Sequence, residues 1–541
     1  MSRGHRQRLS AYWRSPAGLV IAGATLLALG LRVAILTQSS FLTSGSVEYD
    51  DGVYLGAAIR LLQGSLPYKD YAFIQPPGIL LVSLPAAVIA KLSSAAAGLA
   101  AARVATACAS AACVALAGNL VRSRGALVTT VTCGLLAVYP ADVLASRTLL
   151  LEPWMNVCCL LAATIALRAG CLAGPRRLAA AGLLLGFAGT VKFWAVVPAA
   201  ILLFVILAAG GPRWTRAAWY APAVAAGFIV PVLALGGTSV AGFLRDTLQY
   251  QASRVGQSTP MALRLDHLTG ITPLLDRAGF SLSPGSYTLF QAAGTASMEP
   301  TRIPLAVPLA VALIMAAALV IPYVAWRRDR THLEWLALGT AIGACAAILS
   351  YSAFFYHYPA FPAPWLAIAA GAAAGAVARA GAGTWLARGR RLALAVGGIA
   401  LAAAVAVELA QVNAEFVRGN PPIAAIIPAG ACVVSDQVAV TVAADRFTAA
   451  RPGCPDVIDA LAQTLVLSHG VSPAGGAGNH LAVITAWESI LGRARYVWLT
   501  GGYKNRIPWT PALSAWFTAH FHLVAALHGY ADSHVYERDA T

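Results

Sequence analysis

The sequence predicts a polytopic α-helical membrane protein with a small α/β domain at its C-terminal end. Of its 541 residues, 58% are hydrophobic and 11% are charged, and the mean hydropathy is +0.69. A soluble globular protein carries about 25% charged residues. Several apolar runs also reach about 20 residues, the length that a helix needs to cross the hydrocarbon core of a bilayer. These observations exclude an ordinary soluble enzyme.

Eleven apolar segments are predicted to span the membrane. They are residues 17–36, 100–121, 126–146, 153–170, 178–192, 194–210, 217–236, 303–326, 335–354, 360–379 and 392–411. Arginine clusters, such as Arg122 with Arg124, lie between alternate spans. Because short cytoplasmic loops are enriched in Lys and Arg, we expect a multi-pass protein of the cytoplasmic membrane, with its N-terminus in the cytoplasm and its C-terminus outside.

The net charge of +16 belongs to the same pattern. Residues 413–541 contain nine acids and eight bases, so the basic excess lies among the membrane segments. We therefore assign it to cytoplasmic loops in contact with membrane lipids and expect no nucleic-acid partner.

Residues 77–96 form a further apolar stretch that Pro85 and Lys91 interrupt. If this stretch crossed the membrane, Arg122 and Arg124 would move to the outer side. We therefore interpret it as an interfacial helix or re-entrant segment on the outer face. A twelfth true span is the alternative.

Residues 1–411 are thus expected to form the membrane domain, with outer loops at 37–99 and 237–302, and residues 412–541 an extracytoplasmic domain. In this tail, strand patterns at 431–436 and 495–500 alternate with helical patterns at 457–469 and 512–524, which is typical of an α/β unit. We interpret the tail as a packing or acceptor-docking module. Its two cysteines, Cys432 and Cys454, are predicted to form a disulfide, which an outer compartment permits.

Three acids mark the first outer loop as the candidate site. Glu48, Asp50 and Asp51 precede a helical apolar pattern over residues 52–63. One acid is explained by capping this helix, and capping alone is the alternative interpretation. Three acids in four residues are poorly explained that way, because adjacent like charges raise one another's pKa.

Four motifs follow one another along the membrane domain. The first is YDDGVYLGAAIRLLQGSLPYKDYAFIQPPG, which starts at Tyr49. The others are SRTLLLEP at 146–153, GLLLGFAGTVK at 182–192, and Tyr356-His357-Tyr358 followed by Pro364. In this order, the four motifs resemble those of GT-C glycosyltransferases, and more narrowly those of the protein-mannosyltransferase and aminoarabinose-transferase branch, in an actinobacterial type of sequence. The resemblance covers about residues 15–410. It implies the GT-C fold, with the active site on the outer face.

The resemblance further implies an inverting transfer of a sugar from a polyprenyl-phosphate lipid to a hydroxyl of an acceptor. Such a reaction needs a general base and cationic groups for the departing phosphate. Asp50 or Asp51 is the candidate base, and we favour Asp50. Glu152 would orient the acceptor or share a divalent cation (Mg, Mn or Ca) with Asp50 and Asp51. Metal use varies across these enzymes, so the resemblance does not predict a particular metal.

Several basic and aromatic residues are candidate contacts of the donor phosphate or sugar. Lys192 is the main phosphate candidate, although a lysine reaching from a span end to the interface is the alternative. Arg254 of the second outer loop could instead be a solvated charge, and His357 an interfacial residue. Weaker candidates are Tyr358, Lys69 and Arg60.

The resemblance favours mannose as the transferred sugar and an envelope glycan or lipoglycan of the cell wall as the acceptor. The alternative donor is polyprenyl-phosphoarabinose, for an arabinofuranosyltransferase. Where protein-mannosyltransferases usually carry Asp-Glu, this chain has Asp50-Asp51, which argues against a protein acceptor. A lipid or sugar transporter, or flippase, is the alternative of another class.

Overall fold

The computed structural model describes residues 15–37, 40–45, 47–250, 261–270, 306–325, 331–351, 353–380, 402–406, 422–447, 453–501, 504–527 and 532–540. The chain is mostly helical (72%), with apolar helices followed by a small domain that contains strands. This confirms the predicted fold class.

Residues 402–406 are helical, and fifteen further α-helices precede the C-terminal domain in the described ranges. They are α1 Pro16–Leu36, α2 Tyr49–Leu62, α3 Gly78–Leu92, α4 Ala95–Val121, α5 Ala126–Val138, α6 Pro140–Ala145, α7 Leu151–Ala166, α8 Pro175–Val191, α9 Val196–Ala208, α10 Arg213–Gly236, α11 Val240–Leu244, α12 Met261–Thr269, α13 Ala306–Ala325, α14 His332–Ser350 and α15 Ala363–Ala380. The predicted span at 392–411 falls mostly outside the described residues.

Length and composition make four helical stretches of the described chain able to cross a membrane, namely Pro16–Leu36, Ala95–Arg124, Arg213–Gln249 and His332–Ser350. Six shorter apolar helices of 10–17 residues accompany them. Large apolar side chains such as Leu26, Phe204 and Trp214 are exposed on these helices. Apolar surface of this kind suits a bundle that is surrounded by lipid.

Two predicted spans end earlier than expected. The stretch 126–146 breaks at Tyr139, whose backbone is extended, because Pro140 begins the new helix α6. A proline disfavours the helical conformation in the residue before it. The stretch 153–170 ends at Ala166 and turns through a small hairpin of strands β1 Leu167–Arg168 and β2 Cys171–Leu172, with Gly170 at positive φ.

The apolar stretch 77–96 forms the helix α3. Its 15 residues rise about 22 Å, which is shorter than the hydrocarbon core of about 30 Å. Gly78 at its start lies directly against Thr190 of α8, with no room for a Cβ. Helices of predicted spans, such as α9 with 13 residues, are no longer, so length does not separate an interfacial helix from a span, and the interfacial interpretation stays a prediction.

Contacts between distant loops agree with the predicted placement of the basic loops on one side of the membrane. Arg124 forms an ion pair with Glu334 (2.5 Å) and donates to Thr331 Oγ1 (2.7 Å). Gly170 lies against the same Thr331 and Arg124 side chains. All of these residues belong to loops or helix ends that the sequence assigns to one side of the membrane.

The C-terminal domain is a four-stranded sheet with helices. Its strands are β3 Val433–Ser435, β4 Tyr496–Leu499, β5 Phe521–Leu527 and β6 Ser533–Arg538, in the order β3-β4-β6-β5. Strands β3 and β4 are parallel, with Val433 opposite Tyr496, and the other pairs are antiparallel. The helices are α16 Val438–Ala443, α17 Ala460–Leu467, α18 Leu481–Arg493 and α19 Pro511–His520. Cys432 and Cys454 are joined by a disulfide, with 5.7 Å between their Cα atoms.

One element of this domain differs from the sequence prediction. The helical pattern expected over 512–524 ends at His520, and Phe521–Leu527 forms the strand β5. Tertiary pairing with β6 decides this, because the apolar segment 521–527 suits either structure by pattern alone.

The C-terminal domain packs directly on the first loop. Gly52 of α2 and Gly45 lie against the backbone of Ala439, closer than any side chain at either position would allow. Gln437 Nε2 donates to the carbonyl of Gly45 (3.2 Å). The first loop and the C-terminal domain therefore lie on the same side of the helical bundle.

Candidate active site

The site begins at the N-terminal end of α2. Glu48 caps this helix by accepting a hydrogen bond from the Tyr49 N–H (2.9 Å), and Asp50 and Asp51 occupy its first turn. Carboxylates are favoured there by the unpaired N–H groups and the helix dipole. Because successive residues of a helix point about 100° apart, the two aspartates face different surroundings.

Asp51 is fully buried in a structural ion pair. Arg103 of α4 donates to Asp51 Oδ2 through Nη2 (2.5 Å) and Nε (3.0 Å), and the Leu149 N–H donates to Oδ1 (2.5 Å). Arg103 also donates to the carbonyls of Phe41 and Leu42. Asp51 thus connects the first motif to the SRTLLLEP segment, and its oxygens are occupied.

Asp50 is half-buried and accepts a hydrogen bond from the hydroxyl of Tyr54 (3.0 Å), one helical turn further on. Burial raises the pKa of Asp50, and the charges of His357 and Arg506 oppose this rise. Burial and the charge of Asp50 likewise raise the pKa of Glu48, whose carboxylate accepts from the Tyr356 hydroxyl (2.5 Å). Raised values suit a group that must accept a proton near neutral pH.

A second group of side chains surrounds Glu152 at the start of α7. The buried Glu152 Oε1 pairs with Lys192 Nζ and lies 3.0 Å from His357 Nδ1. Its other oxygen, Oε2, is buried with no hydrogen-bond partner among the described residues. Lys192 Nζ also lies 3.9 Å from the ring centroid of Trp194 and 4.3 Å from that of Tyr358. Aromatic faces stabilise a cation that burial has removed from water.

Glycines place Lys192 at this point. Lys192 directly follows α8, in which Gly182 and Gly186 lie against the backbone of α10 at Tyr220 and Val224 with no room for a Cβ. Gly78 makes the same kind of contact with Thr190, two residues before the lysine. Close helix packing therefore fixes the end of α8 against the first loop.

Tyr54 interacts with both the carboxylate of Asp50 and that of Glu152. The charges of both Asp50 and Glu152 act on the buried Tyr54 hydroxyl; burial, the largest cause, and these charges raise its pKa well above 10. His357 is likewise a neighbour of both carboxylates. Asp50, Tyr54, His357, Glu152 and Lys192 therefore interact as one electrostatic cluster.

The structure is similar over nearly its whole length to solved membrane enzymes. ArnT from Cupriavidus metallidurans bound to undecaprenyl phosphate is 14% identical, with a TM-score of 0.57 over 97% of this chain and 98% of that one. The Archaeoglobus fulgidus oligosaccharyltransferase tethered with an acceptor peptide is 14% identical, with a TM-score of 0.52 over 98% of this chain and 75% of that one. The chain has the GT-C fold.

A further match is the oligosaccharyltransferase AglB from Archaeoglobus fulgidus in complex with an inhibitory peptide and a dolichol-phosphate, 13% identical, with a TM-score of 0.51 over 98% of this chain and 74% of that chain. No protein-family model matches the chain, and no curated protein matches it by sequence. At these identities the likeness concerns the backbone, so the roles of side chains within the GT-C fold must be argued from their own contacts.

Three other predicted donor contacts lie away from this cluster or outside the described residues. Arg60 is buried at the C-terminal end of α2, pairs with Asp456 and lies over the Phe447 ring at 4.4 Å. It therefore attaches the C-terminal domain and does not face lipid headgroups. Lys69 is exposed in the turn after α2, beyond the helix end opposite Asp50. Arg254 falls outside the described residues.

Asp50, Asp51 and Glu152, which the sequence offers as ligands of a divalent cation if one is used, have separate partners. Asp51 is paired with Arg103, and Glu152 with Lys192. Over the described ranges, no group of three or more His, Cys, Asp or Glu side chains could hold a metal ion. Asp51 and Glu152 are therefore not arranged as metal ligands here, and we derive no step through a cation.

Sequence reasoning missed the side chains that complete the cluster. Tyr54 stands within the first motif, and Trp194 directly follows the lysine motif, so both were visible as neighbours of candidate residues. Asp459 and Arg506 belong to the C-terminal domain, and no sequence signal connects them to the first loop. Asp459 accepts from the Tyr49 hydroxyl (2.7 Å), and the Arg506 guanidinium lies 3.6 Å from the centroid of the Tyr49 ring.

Proposed function

We propose that this chain is an inverting glycosyltransferase that moves a sugar from a polyprenyl-phosphate lipid to an acceptor hydroxyl on the outer face of the cytoplasmic membrane. The observation that carries the proposal is that an acidic side chain and a set of basic side chains belong to one site. A half-buried carboxylate, Asp50, lies within electrostatic range of His357, and His357 and Lys192 share the buried carboxylate of Glu152. The GT-C fold supports the same reaction class.

Asp50 is the proposed general base. The acceptor oxygen attacks the anomeric carbon of the donor while Asp50 takes the hydroxyl proton. The bond between that carbon and the phosphate oxygen breaks, and its electron pair leaves with the polyprenyl phosphate. Asp50 suits this role better than Asp51, because both oxygens of Asp51 already accept hydrogen bonds.

Lys192 and His357 are the proposed contacts of the donor phosphate. Both Lys192 Nζ and His357 Nδ1 approach one carboxylate, Glu152, which holds the two side chains beside each other. Preorganised cations of this kind stabilise the charge that develops on a departing phosphate. Trp194 and Tyr358 hold the ammonium group in place through contacts with their ring faces.

Glu152 is the proposed orienting residue. Its Oε1 holds Lys192 and His357, whereas its Oε2 is buried with no hydrogen-bond partner among the described residues. A buried acceptor without a donor is costly, so a hydroxyl of the bound sugar or acceptor would satisfy it.

A transporter is less well supported by this geometry. Sites in secondary transporters lie near the bilayer midplane at the interface of repeats. Here Asp50 belongs to a helix on which the C-terminal domain packs, and that domain contributes neighbours to the site.

The test is transfer by the purified full-length protein in detergent. Radiolabelled polyprenyl-phosphomannose and polyprenyl-phosphoarabinose are supplied separately with an envelope lipoglycan extract. We expect label from the mannose donor in the glycan fraction, and equal transfer by the control variant Asp539→Asn, whose carboxylate is exposed. Transfer from the arabinose donor alone would keep the enzyme class and overturn mannose. No transfer from either donor would contradict the proposed donor class.

A further inference from the structure

The C-terminal domain places an arginine against the first turn of α2. Arg506 belongs to a short helical turn between β4 and α19. Its carbonyl accepts a hydrogen bond from Thr464 Oγ1 (2.9 Å), and the same hydroxyl accepts from Trp487 Nε1 (3.1 Å) in the core of the domain. The backbone of Arg506 is therefore anchored to the buried interior of the C-terminal domain.

The guanidinium of Arg506 reaches the residue next to the proposed base. It lies 3.6 Å from the ring centroid of Tyr49, which is buried. The Tyr49 hydroxyl donates to Asp459 (2.7 Å), and Asp459 also caps α17 through the N–H groups of Leu461 and Ala462. The ring of Tyr49 is thus held between two side chains of the C-terminal domain.

Negative charge accumulates at this turn. Glu48 caps α2 and Asp50 lies in its first turn, while Asp459 of the C-terminal domain accepts the hydrogen bond of the Tyr49 hydroxyl. Arg506 and His357, which lies in the loop before α15, both lower the pKa of Asp50 and so oppose the effect of its burial. Like charges in a buried site repel one another unless cations intervene, so the turn depends on the arginine that the domain supplies.

We propose that Arg506 is a positioning residue for the transfer reaction: stacked on Tyr49, it holds the first turn of α2 and balances the carboxylates there, so that Asp50 faces the acceptor. This inference rests on the proposed function. It makes the C-terminal domain a working part of the active site, whereas the sequence suggested only a packing or docking module.

The test compares Arg506→Gln and Arg506→Lys in the full-length protein with the control Arg495→Gln. Arg495 lies in the same domain, and its exposed side chain pairs with Glu537. Because Arg506 acts through the position of Asp50, we expect Arg506→Gln to lower kcat by about tenfold or more, with the KM for the lipid donor within about twofold. Arg506→Lys retains the charge and should recover most of kcat, and Arg495→Gln should behave as wild type.

A second measurement separates this inference from the proposed function. Hydrogen–deuterium exchange of peptides covering residues 47–56 reports the stability of the first turn without any substrate. Faster exchange in Arg506→Gln than in Arg495→Gln supports the positioning role even if the wild-type protein transfers neither donor. An active wild type with an equally active Arg506→Gln, or with Arg506→Lys as impaired as Arg506→Gln, would overturn the inference.

Discussion

Removal of the Asp51 carboxylate should destabilise the protein through the arginine that it leaves behind. In Asp51→Ala, Arg103 keeps its contacts with two backbone carbonyls but loses its counter-ion, while its side chain remains fully buried. The Leu149 N–H also loses its acceptor. The base proposed for catalysis, Asp50, is untouched by this change.

The expected magnitude follows from the contacts. Removing one partner of a buried ion pair lowers the free energy of unfolding by about 3–5 kcal/mol. A buried N–H that is left without an acceptor lowers it by a further amount of about 1–3 kcal/mol. The double variant Asp51→Ala/Arg103→Leu removes both charges, so most of the ion-pair cost should disappear. The coupling energy between the two positions should therefore be about 3 kcal/mol.

The assay is reversible unfolding of the purified protein in detergent, with both single variants and the double variant measured together. Asp539→Ala serves as the control, since an exposed carboxylate contributes about 0–1 kcal/mol. The reasoning is refuted if the unfolding free energy of Asp51→Ala is within about 1 kcal/mol of the control, which is the upper end of the range for exposed ion pairs. It is also refuted if adding Arg103→Leu does not relieve the instability of Asp51→Ala.

The remaining predictions concern the phosphate contact, the pH dependence and the disulfide. Lys192→Met should keep the aromatic packing but remove the charge, lowering kcat/KM for the donor by about 10²-fold; an unchanged kcat/KM would exclude the phosphate role. Burial raises the pKa of Asp436 to about 7, so the folded state holds a proton that the unfolded state releases, and stability falls as pH rises from about 4 to about 7. In thermal melts, Asp436→Asn should lack this fall, so its stability relative to wild type should increase between pH 5 and pH 8; a constant difference would contradict the assignment. Cys432→Ser/Cys454→Ser should lower the unfolding free energy of the C-terminal domain by about 3 kcal/mol, measured by the fluorescence of its buried tryptophans, and equal stability would argue against it.

Sequence patterns predicted the helices well because each helix is determined mainly by the residues of its own segment. Apolar length and the distribution of arginine depend on the bilayer, and they predicted the fold class. They also assigned Arg124 and Glu334 to the same side of the membrane, which agrees with the ion pair between these residues. The exact ends of the spans were less predictable. Pro140 ended one helix locally, whereas the strand β5 formed only because β6 lies beside it.

The candidate site could be predicted only in part. Glu152, Lys192 and His357 stood in recognisable motifs, and the fold brings them within contact distance. Asp50 and Asp51 are adjacent in sequence, and only the position of Arg103 on another helix distinguishes them. Arg506 lies in a separate domain, so its contact with Tyr49 could not be read from local patterns.

The central claim is that Asp50 accepts the proton of the acceptor hydroxyl in a transfer that releases polyprenyl phosphate. It is tested most directly by measuring labelled sugar transferred, and polyprenyl phosphate released, by folded Asp50→Asn and wild-type protein under the same conditions. Asparagine keeps the shape of the side chain and an acceptor for the Tyr54 hydroxyl, but it cannot take the proton. We predict unchanged folding and a rate lowered by about 10²–10⁴-fold. A variant that retained more than about a tenth of the wild-type rate would contradict the account.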